Sequence, residues 1–293
     1  MQVMGILNVT PDSFSDGGQW DTQQAAIAHG QEMIDAGATI IDIGGESTRP
    51  GAEILDPETE WARIAPVVAE LSTLVTVSVD TYHAQTARRA VQAGAHIVND
   101  VTGGSGDPEM FITVAELDCA YILQHGRGNA QTMNSLADYR GDVARIVRDE
   151  LLEARDNAVA AGIDESRIIL DPGLGFAKVG DQDWAVLAGI SEFLDLGHRV
   201  LIGQSRKRFL AGTVAEGAPV TDRDIATAVI SGILSETDVW AVRVHNVPAT
   251  MSAIAAHAKL HQARVARAGE EEVEHLSERT VAERGWDAVR GGA

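Results

Sequence analysis

Polar and charged side chains stand where apolar runs of this sequence end, and their types could do chemistry. The apolar run at residues 3–7 stops at Asn8, and the loop that follows is rich in Asn, Asp, Ser, Pro and Gly. One junction of this kind could simply be a helix cap, but the pattern recurs along the chain. The residues at these run ends are Asn8, Asp42, Asp80, Asn99, Asp100, Gln124, His125, Asp171, Ser205, Arg206, Lys207, Arg208, Arg243 and His245.

The acidic and amide members of this set indicate one kind of ligand. Asp80, Asn99 and Asp171 supply hydrogen-bond acceptors and a carboxamide. These groups suit a flat heterocycle that presents an amino group and ring N–H donors. Asp42 either joins these acceptors or has a structural role, and the sequence leaves both interpretations open.

The basic members of this set indicate that an anionic ligand is bound. Guanidinium groups make bidentate contacts with phosphate or carboxylate, and their planar faces stack on rings. His245 follows a strand-end arginine closely, which favours an anion ligand over an ordinary histidine. The cationic donors are Arg49, Lys207, Arg243 and His245.

The sequence does not favour a metal centre built by the protein alone. It contains no paired cysteines, no HExxH motif and no carboxylate cage with metal-ligand spacing. A Mg2+ ion held mainly by substrate phosphates, with one protein ligand such as Asn8, is consistent with the residues present. The glycine-containing segment 171–178 lacks the Gly-Lys-Ser/Thr ending of a phosphate-binding P-loop.

Predicted strands and helices, which must position these residues, alternate regularly up to about residue 260. Eight short apolar strands, each followed by a helix, indicate an α/β fold, a closed parallel (β/α)8 barrel, rather than an open doubly wound sheet. Catalytic groups of such barrels lie at the carboxyl ends of the strands. Predicted strands are 2–8, 38–43, 74–79, 95–99, 120–124, 167–171, 199–203 and 239–244, and predicted helices include 22–36, 58–72, 83–93, 139–161 and 222–235.

The domain organisation follows from the same alternation. We expect one barrel domain at residues 1–261 and a polar C-terminal extension at residues 262–293. The extension is rich in Glu, Arg and Ala and is expected to be solvated or partly helical.

Composition and charge exclude some classes of function. The 23 Lys and Arg residues against 43 Asp and Glu residues give a net charge of -20, which argues against a nucleic-acid-binding surface. No apolar run approaches the roughly 20 residues that a membrane-spanning helix needs. Because a strand is predicted to begin beside Met1, we expect no signal peptide, and Cys119 lies in an apolar run. These features predict a cytoplasmic protein without nucleic-acid or membrane partners.

With these residues in view, the chain resembles the bacterial dihydropteroate synthase family from residue 3 to about residue 251. The resemblance rests on long and specific motifs. They are GILNVTPDSFSDGG at 5–18, IDIGGESTRPGA at 41–52, SVDT at 78–81, IVND at 97–100, ILDPGLGFAK at 169–178, IGQSRKRFL at 202–210 and VRVHNV at 242–247.

The resemblance implies an enzyme that joins 6-hydroxymethyl-7,8-dihydropterin diphosphate to p-aminobenzoate. The products are pyrophosphate and 7,8-dihydropteroate, in folate biosynthesis. It also implies a homodimer formed through outer helices near the last strands, and two mobile loops at 9–18 and 44–52. The implied catalytic residues are Asp80, Asp171, Lys207, Arg243 and His245.

The resemblance further implies three groups of substrate contacts. The pterin is bound by Asp80, Asn99, Asp171 and Lys207, with Arg243 stacked on its face. The diphosphate is bound by Asn8, Arg49, Arg243 and His245, with Mg2+ bridging to Asn8. The p-aminobenzoate pocket is formed by Thr48, Pro50, Phe176 and Ser205.

One departure from the family pattern lies after the fifth strand. The family usually has Leu-Met-His-Met there, whereas this chain has Gln124, His125 and Gly126 after Leu123, so we expect a wetter or looser wall at the pterin edge. Two alternatives stay open: a pterin-dependent methyltransferase-type domain and a non-catalytic pterin-binding paralogue. The Thr48-Arg49-Pro50 loop and the Ser205/Lys207 pair favour the synthase over the methyltransferase-type domain, which has no need of them. Only the altered segment 123–126 supports the non-catalytic paralogue.

Overall fold

Eight parallel strands form a closed barrel in the computed structural model, which describes residues 1–10, 19–46, 55–128 and 131–267. Each strand pairs with the next along the chain, and the last pairs with the first. This order confirms the predicted (β/α)8 barrel. The strands are β1 (Gln2–Asn8), β2 (Ile40–Gly44), β3 (Thr76–Asp80), β4 (Ile97–Asp100), β5 (Ala120–Gln124), β6 (Ile168–Asp171), β7 (Arg199–Ile202) and β8 (Ala241–Val244).

Helices follow the strands and cover the outside of the barrel. Buried apolar side chains of the strands and helices form the larger of two hydrophobic clusters. The helices are α1 (Gln19–Asp35), α2 (Pro57–Leu71), α3 (Ala84–Gln92), α4 (Met110–Glu116), α5 (Val143–Ala160), α6 (Gln182–Ala188), α7 (Ser191–Leu194), α8 (Asp224–Leu234) and α9 (residues 247–267).

Local sequence signals set several helix boundaries. α5 begins four residues after its predicted start because the Asp142 carboxylate accepts a hydrogen bond from the Ala144 N–H at 3.1 Å and caps the helix there. The glycines that follow α1, α3 and α5, which are Gly37, Gly94 and Gly162, have φ values of 103°, 110° and 105°. This left-handed backbone is the one that ends helices most readily at glycine.

The period-two alternation of the strands places polar side chains above an apolar floor. Residues two apart on a strand face the same side. A second, smaller hydrophobic cluster inside the barrel consists of Met4, Ile40, Ile97, Ile122, Ile169, Leu201 and Ala241. Two residues beyond five of these, on the same strands, stand Asp42, Asn99, Gln124, Asp171 and Arg243. The strand period therefore seals the barrel with apolar groups and directs functional groups to its carboxyl end.

The C-terminal helix α9 extends past the predicted domain boundary at residue 261. Residues 261–267 are helical and exposed, and the remainder of the predicted extension lies outside the described residues. Across the described part of the chain, no helix combines the length and apolar content needed to cross a membrane.

Candidate active site

Arg243 is the centre of a buried polar cluster at the carboxyl ends of the strands. Its Nε donates to Asp42 Oδ2 at 2.6 Å, and its Nη2 donates to Asp80 Oδ2 at 2.7 Å. The Asn99 amide also donates to Asp42 Oδ2, at 3.0 Å. Asp42 Oδ2 therefore contacts both an arginine and an asparagine, which supports a positioning role for this carboxylate.

Burial and charge shape the ionisation of this cluster. Burial raises the pKa of Asp80 to about 7, although Arg243 opposes this shift. Burial disfavours the charge on Arg243, but the Asp42 and Asp80 carboxylates outweigh it and raise the pKa of the guanidinium. Arg243 is therefore a permanent cation beside a carboxyl group whose pKa burial raises.

Three acceptor oxygens of the cluster are buried without a hydrogen-bond partner among the described residues: Asp42 Oδ1, Asp80 Oδ1 and Asn99 Oδ1. Leaving such an atom unpaired costs about 1–3 kcal/mol. These acceptors are therefore prepared for a ligand that brings N–H donors to the barrel floor.

Asp171 lies at the end of β6, on the other side of the same opening. Its Oδ1 accepts from the Gly173 N–H at 2.7 Å, and burial raises its pKa. A Cβ built on Gly203 would lie 3.6 Å from Asp171 Oδ2, so this oxygen faces the end of β7. The carboxylate thus adds a further acceptor to those of Asp80 and Asn99.

Lys207 and Phe176 form a second part of the site, above β6 and β7. The Lys207 Nζ lies 4.1 Å from the centre of the Phe176 ring, within cation–π distance. Burial lowers the pKa of Lys207 to about 8, with Arg243 adding to the shift. A Cβ on Gly175, where φ is 78°, would approach Lys207 Cδ to 2.7 Å. Glycine is therefore required at position 175 for the lysine stem to pass.

Ser205 and His245 are joined by two hydrogen bonds. Ser205 Oγ lies 2.9 Å from His245 Nδ1 and accepts from the His245 backbone N–H at 3.1 Å. Burial, with Arg206 and Arg243 nearby, lowers the pKa of His245 to about 3. The imidazole is therefore neutral near pH 7. With Nδ1 accepting from the hydroxyl, Nε2 carries the proton and can donate to an anion.

Asn8 places a carboxamide oxygen at the rim. A Cβ built on Gly44 would lie 3.7 Å from Asn8 Oδ1 and 3.9 Å from Asp80 Oδ2, so both side chains flank this glycine. Among the described residues, no three His, Cys, Asp or Glu side chains are grouped so that they could hold a metal ion. A single carboxamide oxygen fits Mg2+, which commonly keeps few protein ligands beside substrate phosphates.

The structure brings together nine of the twelve predicted site residues at this end of the barrel. They are Asn8, Asp80, Asn99, Asp171, Phe176, Ser205, Lys207, Arg243 and His245. Thr48, Arg49 and Pro50 lie outside the described residues, as do most of the loops 9–18 and 44–52.

The segment after β5 is packed rather than open. Gln124 is buried and its amide donates to the Val101 carbonyl at 3.1 Å. His125 is also buried and hydrogen-bonds to Glu150 and Lys178. The described residues therefore do not support the looser wall that the missing methionines suggested. Sequence reasoning assigned no role to Lys178, whose only signal was its place in the glycine-containing segment.

Comparisons with known proteins agree with this geometry. The family model described as pterin binding enzyme matches residues 4–245. The dihydropteroate synthase of Mycobacterium leprae is 48% identical over 260 residues, covering 87% of this chain and 91% of the relative. The enzyme of Bacillus subtilis is 46% identical over 248 residues, with 84% and 83% covered.

Solved structures of dihydropteroate synthases are also similar to this chain. The dihydropteroate synthase of Xanthomonas albilineans with 4-aminobenzoic acid superimposes with a TM-score of 0.81 at 37% identity, covering 89% of this chain and 93% of that one. The Yersinia pestis enzyme, in a complex with a sulfonamide drug, gives a TM-score of 0.81 at 36% identity, with 89% and 94% covered.

The barrel and the matching family model together define a pterin-binding enzyme. The named relatives make the assignment narrower, and the chain belongs to the dihydropteroate synthase family.

Proposed function

We propose that this chain condenses 6-hydroxymethyl-7,8-dihydropterin diphosphate with p-aminobenzoate, releasing pyrophosphate and forming 7,8-dihydropteroate. The observation that carries the proposal is the set of unpaired acceptors at Asp80 and Asn99 beside the Asp171 carboxylate. A pterin edge presents amino and ring N–H donors, which match these oxygens. Membership of the family supports the same reaction.

In this proposal the pterin lies on the apolar floor with its donors toward Asp80, Asn99 and Asp171. Lys207 reaches the ring from β7, and Arg243 stacks on the ring face. Because Arg243 contacts the Asp80 carboxylate in the described structure, pterin binding exchanges part of that ion pair for contacts with the ligand. Asp42 keeps the guanidinium at the site during this exchange.

The diphosphate is directed to the cationic and amide groups of the rim. Arg243 and the protonated Nε2 of His245 donate to its oxygens, and Arg49 is proposed as a further donor. Asn8 would hold Mg2+ through its carboxamide oxygen. When bound, Mg2+ would help to neutralise the charge of the departing pyrophosphate.

The chemistry then follows from where charge develops. Departure of pyrophosphate leaves positive charge on the methylene conjugated to the pterin, which the Asp80 and Asp171 carboxylates stabilise. The amine of p-aminobenzoate attacks this carbon to form the C–N bond, and the nitrogen then loses one proton to water. Phe176 and Ser205 are proposed to form part of its pocket, beside Lys207, and Thr48 and Pro50 are proposed to complete it.

A homodimer is the second part of the proposal. Ile225, Val229 and Ile233 of α8 are 75%, 54% and 57% exposed. Their spacing of four places them on one face of the helix, and such a contiguous apolar stripe marks an interaction surface. A second copy of the chain is the proposed occupant, in line with the outer-helix dimer that the family resemblance implies.

We also propose that the protein acts in the cytoplasm. Cys119 is the only cysteine and is buried, so the fold does not depend on an internal disulfide.

The reaction is tested by turnover of the purified chain with Mg2+ and both substrates. Pyrophosphate and 7,8-dihydropteroate should form in equal amounts, and neither should form when p-aminobenzoate is omitted. A pterin-dependent methyltransferase or a non-catalytic binding protein would release no pyrophosphate. Binding of the pterin without pyrophosphate release would therefore contradict the proposed function.

A further inference from the structure

Lys178 is a buried lysine that the proposed reaction does not use. It follows the turn after β6, and only 1% of its surface is exposed. An ammonium group buried this deeply needs strong partners, because taking a charge out of water is costly. Its partners therefore indicate what the side chain does.

The Lys178 side chain connects two parts of the turn that follows β6. Its Nζ donates to the carbonyl oxygen of Gly173 at 2.9 Å and to that of Phe176 at 3.1 Å. This turn is conformationally demanding, because Gly173, Gly175 and Ala177 all have positive φ values, of 67°, 78° and 49°. A non-glycine residue such as Ala177 pays an energetic cost there that its surroundings must offset.

The third partner of Lys178 connects the turn to the neighbouring strand. Nζ lies 3.1 Å from Nδ1 of the buried His125 at the end of β5. When Lys178 is protonated, its ammonium group can only donate, so His125 Nδ1 accepts and its Nε2–H donates to Glu150 Oε2 at 2.9 Å. The Glu150 carboxylate is in turn held by Arg127, whose Nε donates to Oε2 at 2.9 Å. A continuous chain of contacts thus runs from α5 to the turn.

Burial lowers the pKa of Lys178 to about 7, so below neutral pH the lysine is protonated and donates all three of its Nζ protons. Burial, with Lys178 nearby, lowers the pKa of His125 to about 4, so the imidazole is neutral and can accept from the lysine. Burial raises the pKa of Glu150, but hydrogen bonds from His125 and Arg127 outweigh it and lower that pKa to about 2. Glu150 is therefore an anion that orients the imidazole.

We propose that Lys178, oriented through His125 and Glu150, is a positioning residue for the Phe176 ring and hence for p-aminobenzoate. The proposal rests on the assignment of Phe176 to the p-aminobenzoate pocket. Lys178 holds the Phe176 carbonyl, and the ring of the same residue lies 4.1 Å from the Lys207 Nζ. Loss of the lysine would release the turn and with it the surface on which the aromatic acid and Lys207 meet.

The test is Lys178→Met, which keeps a long apolar stem but removes all three donors. We expect the KM for p-aminobenzoate to rise by about 10- to 100-fold, because misplacing a binding group by about 1 Å has effects of this size. The affinity for the pterin diphosphate, measured by calorimetry, should change by less than about threefold. Tyr121→Phe is the matched control, since it removes a buried hydrogen bond to Asp100, a side chain outside the proposed substrate contacts, and should leave both constants unchanged.

Two further variants keep the proposal open to refutation if Lys178→Met does not fold. Glu150→Gln removes a partly exposed charge. It should also raise the KM for p-aminobenzoate, by less than Lys178→Met does. Combined with Phe176→Leu, it should raise the p-aminobenzoate KM no more than Phe176→Leu alone, because both changes act on one surface. An unchanged p-aminobenzoate KM in folded variants, or an equal rise for both substrates, would overturn the proposal. Wild-type protein that turns over neither substrate would instead contradict the proposed function.

Discussion

Arg243 Nη2 donates to Asp80 Oδ2 at 2.7 Å, although 163 positions separate the two residues in the sequence. The same guanidinium donates to Asp42, so one cation is shared between two carboxylates, one within β2 and one at the end of β3. Closure of the barrel creates this contact by placing β8 beside β1. The site is therefore organised before any ligand enters, and its unpaired acceptors face the space where we propose that the pterin binds.

Asp42→Asn tests the positioning role of Asp42. The variant keeps the size of the side chain but removes the charge that holds Arg243 Nε at 2.6 Å. We expect kcat/KM for the pterin diphosphate to fall by about 10- to 100-fold, because Arg243 loses its fixed position. Steady-state kinetics measures the effect, and circular dichroism checks that the variant is folded. Wild-type kcat/KM in a folded variant would show that Asp80 alone suffices to position Arg243.

The stability of the protein should fall as the pH falls, in part through His245. Its pKa is about 3 in the native state and about 6.5 in an unfolded chain, so the unfolded state binds more protons between these values. The contribution of His245 is fully present above about pH 6.5 and is lost as the pH falls toward 3. Urea unfolding between pH 4 and pH 6 measures how the free energy of unfolding changes with pH. In His245→Gln this change should be smaller than in wild type by up to about 1.4 kcal/mol per pH unit.

Ser205→Ala is the control for this experiment. It removes the same 2.9 Å hydrogen bond but keeps the buried imidazole, and it should retain the steep slope. Equal slopes in wild type and His245→Gln would mean that the imidazole titrates alike in the folded and unfolded chains.

Truncation after Leu260 should leave activity nearly intact. All eight strands precede this point, and residues 261–267 of α9 are exposed. Removing exposed helix changes little of the buried core. Turnover and thermal unfolding of the truncated chain check the prediction. A folded but inactive truncation would instead assign the extension a role in the site or in assembly.

Val229→Glu should convert the proposed homodimer to a monomer. A charge in the middle of the apolar stripe on α8 would be buried without a partner in the interface, at high cost. Sedimentation velocity of wild type and variant at equal concentration provides the measurement. Val159→Glu, at a 38% exposed position on α5, is the matched control and should remain dimeric. A monomeric wild type would contradict the assembly itself.

Much of the fold and of the rim could be predicted from the sequence, because both follow from local alternation. The apolar period of two and the polar residue at each strand end placed Asp80, Asn99 and Asp171 correctly at one opening. Contacts between distant side chains could not be predicted in this way. Whether Asp42 binds ligand or Arg243 depends on barrel closure, which no local pattern encodes.

The role of Lys178 is another feature that could not be predicted from the sequence. In the sequence it belongs to a glycine-containing segment that fails the P-loop pattern, and its burial depends on two carbonyls of a turn with positive φ values. The Ser205–His245 pair was likewise hidden, since 40 positions separate its members.

The structure of the chain with 6-hydroxymethylpterin bound tests the central claim most directly. The account predicts that the pterin edge donates to Asp80 Oδ1 and Asn99 Oδ1, which lack partners among the described residues, and to the Asp171 carboxylate. Arg243 should lie against the ring face while retaining its contact with Asp42. A pterin bound elsewhere, with the Asp80 and Asn99 oxygens still unpaired, would contradict the account.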